Sequence, residues 1–217
     1  MKNQKIQSLT EDFVKKELKQ AEAGHDWLHT ERVRNLSRKL SEREGGDLFV
    51  IEMSALLHDV SDWKFHDENQ KILEIKNFLK NIGVEPEYIE KIIHVIESIS
   101  FKGAGVENKI KSIEGKIVQD ADRLDALGAI GIARAFAYGG HKNHIIYDPN
   151  IKPVIHKTAE EYEKKQSTTI NHFYEKLFLL KDKMNTKTGR QMAEERHVFM
   201  ETFVSQFLKE WQEASSQ

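Results

Sequence analysis

Apolar residues recur at spacings of three and four along almost the whole chain, and the alternation of a half-buried strand is hard to find. That period predicts helices. The first is expected from about Ser8, where Ser8-Leu9-Thr10-Glu11 has the form of a capping box. A second should run from about Asp26 to Glu44 and stop at Gly45-Gly46, with an inward row of His29, Val33, Leu36 and Leu40. A third, from about Asp47 to Val60, is apolar nearly all round (Phe49, Val50, Ile51, Met53, Ala55, Leu56, Leu57), the mark of a helix central in its domain. It ends in His58-Asp59.

Asp67-Glu68-Asn69-Gln70 suits the start of a fourth helix ending at Gly83, and Pro86 suits the first residue of a fifth carrying Ile89, Ile92, Ile93, Ile96 and Ile99. Phe101 to Glu107 reads as a loop. A sixth helix is expected from Ser112 to Tyr138. Mid-helix glycine costs about 1 kcal/mol against alanine, so Gly128 and Gly131 there imply close approach of a neighbouring helix. From Gly139 to Lys157 the pattern breaks into an ordered loop holding His141, His144 and His156. Two long helices then close the chain. One begins at the capping box Thr158-Ala159-Glu160-Glu161; the other begins near Thr188 and carries Met192, Phe199, Phe203 and Phe207. Those aromatics, with Trp211, are assigned to the core in preference to a dimer face. The expected architecture is an all-α, single-domain bundle over 1–217, with a motif-bearing core at about 20–140 that helices at about 158–213 complete.

Composition narrows the chemistry. Among 217 residues, 39% are hydrophobic and 31% charged, with a formal net charge of -2, which excludes a general nucleic-acid coat. With no cysteine, disulfides, thiolate metal sites and a Cys nucleophile are all excluded, so any metal must be held by His and carboxylates. Met1 to Thr10 lacks the apolar core of a signal peptide, and no apolar run approaches the roughly 18–20 residues of a membrane span. The default expectation is a cytoplasmic protein with no membrane partner.

Three helices each offer inward-facing polar groups. His58-Asp59 ends the most apolar helix, His29 holds a core-facing position of the second, and Asp122 shares a helical row with Val118, Ala126 and Ala129. Buried histidine and aspartate are costly unless paired or coordinated. Two imidazoles and two carboxylates suit Mn²⁺, Fe²⁺, Zn²⁺ or Ni²⁺, with Mg²⁺ less favoured. Each residue also has a plainer reading: a hydrogen-bonded core histidine, a chance His-Asp pair, an Asp122 paired with an arginine.

The order of these groups decides between the readings. Gly24-His25-Asp26-Trp27-Leu28-His29-Thr30-Glu31-Arg32-Val33, then Ala55-Leu56-Leu57-His58-Asp59, then Asp120-Ala121-Asp122-Arg123-Leu124-Asp125-Ala126 together resemble the HD superfamily of metal-dependent phosphohydrolases. The likeness covers roughly residues 20 to 140 and is nearest to the small bacterial single-domain members. It implies one catalytic ion on His29, His58, Asp59 and Asp122. By the same resemblance Asp62, three residues after Asp59, is a candidate general base, or else caps the turn. Asp125 is either a support for a ligand or an ion-pair partner.

Arg32, Lys102, His94, Arg123 and His25 are candidate substrate contacts, with Arg134 weaker. His25 lies just outside the second helix if Asp26 is its N-cap, and His94 has an alternative role at a second metal. The implied substrate is a small phosphorylated molecule, foremost a nucleoside triphosphate cut to a monophosphate and pyrophosphate, or dephosphorylated. The alternatives are hydrolysis of guanosine tetraphosphate and a non-catalytic, metal-stabilised nucleotide sensor. No nucleic-acid polymer is expected as partner, and a homodimer is left open.

Overall fold

A chain whose apolar residues recur every three or four positions hides them by packing helix against helix. The computed structural model describes residues 2–20, 26–61, 68–99, 110–154 and 167–215, and they contain helices and no strand. The α-helices are α1 (Lys2–Glu17), α2 (Trp27–Glu44), α3 (Leu48–Leu57), α4 (Glu68–Asn81), α5 (Pro86–Ile99), α6 (Ile113–Asp125), α7 (Gly128–His141), α8 (Thr169–Glu175) and α9 (Lys187–Ser215). Single 3₁₀ turns follow α1 and α3, and two follow α8. Contacts divide the chain into two compact units, one up to Asp122 and one from Arg123 onward, so the division falls inside α6.

In the first unit α3 is the central element. Every residue from Val50 to Leu57 is buried, and α1, α2 and α5 pack against it. Its start is set by Asp47, whose carboxylate accepts the N–H groups of Phe49 and Val50 at 3.0 and 3.3 Å. Asp26 caps α2 in the same way, accepting the His29 N–H at 2.8 Å, and Gly45 at φ 81° ends that helix. The buried stripe of α2 is His29, Thr30, Val33, Ser37 and Leu40. Leu36, expected in that row, is only half-buried.

The core of this unit also holds a charge. Glu52, 5% exposed, accepts from Gln7 at 2.6 Å and from Arg34 at 3.2 Å, with Arg38 at 3.3 Å. Arg34 also reaches Glu11, so one network ties α1, α2 and α3. The capping box expected at Ser8 does not start a helix. Thr10 lies inside α1, where its buried hydroxyl donates to the Ile6 carbonyl at 2.9 Å, and the helix begins at Lys2.

In the second unit the expected continuous helix over 112–138 is broken. Gly128 sits at φ 72°, a conformation that side-chain-bearing residues resist, and it separates α6 from α7. Gly131 faces the Ala126 carbonyl, so its smallness serves the turn and not a neighbouring helix. The close approach expected of a glycine occurs at Gly139, against Thr169 of α8.

Thr168 accepts the Asn171 N–H at 3.0 Å and starts α8, which is seven residues long. The expected Thr158 helix start lies outside the described residues. On α9 the buried row is Gly189, Ala193, His197, Met200 and Val204. Phe203 stacks on Phe173 and is half-buried like Phe207, but Phe199 is 53% exposed and Trp211 38%, so none of the four aromatics assigned to the core is fully buried.

Candidate metal centre

The elements that fix the local fold also place the polar side chains. His29 occupies the first turn of α2, held by the Asp26 cap, and is 1% exposed. His58 and Asp59 follow α3 directly, where the α-helix tightens into a 3₁₀ turn over His58–Ser61. Asp122 lies near the end of α6.

All four belong to the first unit, and they converge. His29 Nε2 stands 3.3 Å from Asp59 Oδ2 and 3.4 Å from Asp122 Oδ1. His58 Nε2 stands 3.3 Å from Asp59 Oδ1 and 4.0 Å from Asp122 Oδ1. The two imidazole centroids are 5.4 Å apart.

The donor set fits a divalent ion. Metal–ligand bonds of about 2.0–2.2 Å put donors on one ion about 3.0–3.5 Å apart when adjacent and about 4 Å when opposite, the spacings seen here. His29, His58 and Asp59 each offer a ligand atom within 4.8 Å of the others. The His58 tautomer is also set. Its Nδ1 lies 2.8 Å from the Ala55 carbonyl, which only accepts, so Nδ1 carries the hydrogen and Nε2 presents its lone pair to the centre.

Electrostatics agree with an ionised Asp122. Without an ion, burial pushes its carboxyl up, but the hydrogen bond with His29 and the charges that His58 and His29 carry when protonated outweigh burial and the opposing Asp59, holding it down at about 2. Side-chain exposure is 1% for His29, 4% for His58, 8% for Asp59 and 39% for Asp122, so the accessible side of the centre is at Asp122.

The other expected site residues are scattered. Arg32 is half-buried on α2, one turn beyond His29. His94 is not gathered with the four ligands: it is exposed on α5 and lines a cavity of about 240 Å³ with Asp47, which caps the opposite end of α3 from His58. Arg123 donates to the Lys183 backbone carbonyl within the second unit. Asp125 is 2% exposed and pairs with Arg134 at 2.7 Å, which resolves both toward an ion pair. The row expected for Asp122 ends early, because Ala129 lies beyond the Gly128 break and is exposed. His25, Asp62 and Lys102 lie outside the described residues. Reading the sequence missed Glu52 and its two arginines; the signal was there, as a lone acid in an otherwise apolar helix.

Comparison with known proteins agrees with this geometry. The HD domain family model matches residues 27–127. The uncharacterised Bacillus subtilis protein YpgQ is 42% identical over 211 residues, covering 90% of this chain and 95% of that protein. The crystal structure of an HD-superfamily hydrolase from Bacillus thuringiensis superposes with a TM-score of 0.78 at 46% identity, covering 98% of this chain and 99% of its own. The structure of YpgQ in complex with ADP superposes with a TM-score of 0.75 at 38% identity, covering 94% and 97%. With the motif-bearing segments matched, the four donors converged and relatives aligned over nearly their full length, this chain belongs to the HD-domain family.

Proposed function

We propose that the protein is a divalent-metal-dependent phosphohydrolase acting on nucleotides, with Mn²⁺ as the favoured ion. The carrying observation is the convergence of His29, His58, Asp59 and Asp122 at 3.3–4.0 Å. The ADP complex of YpgQ supports nucleotides as the substrate class, and the hydrolase relative supports the reaction class.

His29, His58, Asp59 and Asp122 would hold a divalent ion, which when bound would supply Lewis acidity toward water and a phosphoryl oxygen. The chain's own groups do the rest. Burial of both imidazoles keeps them fixed, and the Ala55 carbonyl holds His58 as a lone-pair donor. Asp122, ionised and partly exposed, keeps negative charge at the accessible side. Asp62, by its place three residues after Asp59, is the proposed base that orients or deprotonates the attacking water. Arg32 and Lys102 are the proposed cations for the phosphate.

The test is phosphate and pyrophosphate release from a nucleotide panel, with Mn²⁺ and with EDTA. Metal-dependent release that His58→Ala abolishes, with the circular dichroism spectrum retained, supports the proposal. Tight nucleotide binding without turnover under every metal identifies a sensor instead.

A further inference from the structure

The second unit holds a cavity of about 180 Å³ that the metal centre does not use. Tyr147, Ile151, Asn171, Tyr174 and Leu208 line it, with the exposed Lys152 alongside. Its volume lies below the roughly 300–1,000 Å³ of drug-sized ligand sites and suits one flat ring.

Contacts outside the cavity set its walls. Tyr147 meets Trp211 edge-on at 5.1 Å and Phe207 at 5.9 Å. Tyr174 meets Phe178 edge-on at 5.3 Å, yet is itself 39% exposed. Asn171 is 2% exposed; its side-chain amide donates to the Ile151 carbonyl at 2.8 Å, which leaves the amide oxygen as an acceptor. Three side chains able to meet a ring thus have their orientations fixed in advance, which lowers the ordering cost of binding.

We infer that this cavity binds the base of a nucleotide, with Lys152 taking its phosphate. Two phenol rings and two aliphatic side chains offer stacking to a planar ring. Asn171 offers one hydrogen-bonding edge, and a lysine alongside suits an anionic group on the same ligand. The inference is independent of the metal centre, because binding here needs no ion and no turnover.

The experiment uses the full chain in EDTA, with AMP and adenosine as probes and Trp211 emission as reporter, since Trp211 abuts Tyr147. AMP should give a saturable change that Trp211→Phe removes from the emission but not from calorimetry. Tyr174→Ala should weaken AMP at least about tenfold, the loss of one stacked base, while Tyr174→Phe keeps the affinity. Lys152→Ala should bring AMP down to the affinity of adenosine. With Mn²⁺ and a hydrolysable nucleotide, Tyr174→Ala should leave KM unchanged, and a KM that rises together with the loss of AMP binding would overturn a site separate from the metal centre. No saturable binding in EDTA, equal affinity in Tyr174→Ala, or equal binding of free tyrosine would overturn the inference.

Discussion

Removing His29 separates a coordination centre from an ordinary buried cluster. Its Nε2 lies 3.3 Å from Asp59 and 3.4 Å from Asp122, so His29→Ala takes away a metal donor and a partner of both carboxylates. With metal at one hundred times its dissociation constant, the wild type gains about 2.7 kcal/mol of stability. At about 2–4 °C per kcal/mol for a chain of this size, that raises Tm by about 5–11 °C. A variant binding about one hundredfold more weakly gains only about 0.4 kcal/mol at the same metal concentration, or about 1 °C.

Without metal the variant should also lose stability. Asp122 held at about 2 contributes stability that is full above its unfolded value of 3.8 and lost as pH falls toward 2. With the side chain 39% exposed, solvent screening reduces this to roughly 1 kcal/mol, and His29 supplies only part of it. Thermal unfolding followed by circular dichroism, in EDTA and across a Mn²⁺ series, reads both effects. If His29→Ala keeps the full metal-induced rise in Tm, coordination through this residue is wrong.

Three further outcomes follow from the structure. Burial, Lys176 and His144 hold His172 down to about 3, so its native form is neutral. Stability should therefore fall as pH drops below about 6.5, by at most about 1.4 kcal/mol per pH unit, and His172→Gln should flatten the urea-midpoint profile between pH 7 and 4; an unchanged profile contradicts this. Arg34→Met leaves the buried Glu52 with Gln7 and the half-exposed Arg38, and should cost about 2–4 kcal/mol, much of it recovered by adding Glu52→Leu. Additive losses in that double-mutant cycle, measured by denaturant unfolding, would show that the pair is uncoupled. Gly128→Ala meets both a φ of 72° and the Arg196 side chain at 3.1 Å, so a loss of about 1–2 kcal/mol is expected, and an unchanged Tm would refute it.

How far the fold was legible depended on whether the deciding force was local. The caps at Asp26 and Asp47, the stop at Gly45, the buried run of α3 and the isoleucine stripe of α5 are written in adjacent residues. Gly128 is not legible as a break because small residues fit both a close helix crossing and a left-handed turn, and the period runs through either unchanged. Thr10 misled for a related reason: its hydroxyl back-bonds to Ile6, an option a capping-box pattern does not exclude. Phe199 defeats the pattern because a long helix buried along one row carries apolar residues on its other faces too. At the site, the inward spacing of His29, His58 and Asp122 was readable, but the distances among them were not. The Glu52–Arg34 pair joins residues 18 apart, which no local pattern announces.

The Ala55 carbonyl that receives the His58 hydrogen sits in the last turn of α3, where the regular α-helical ladder gives way to the 3₁₀ turn. One contact therefore finishes the helix and commits the ring to a single protonation pattern. Because the acceptor is peptide backbone, no replacement of the Ala55 side chain can delete it. With His58 in place, only unwinding of the helix end can, and that would release the neighbouring aspartate in the same event.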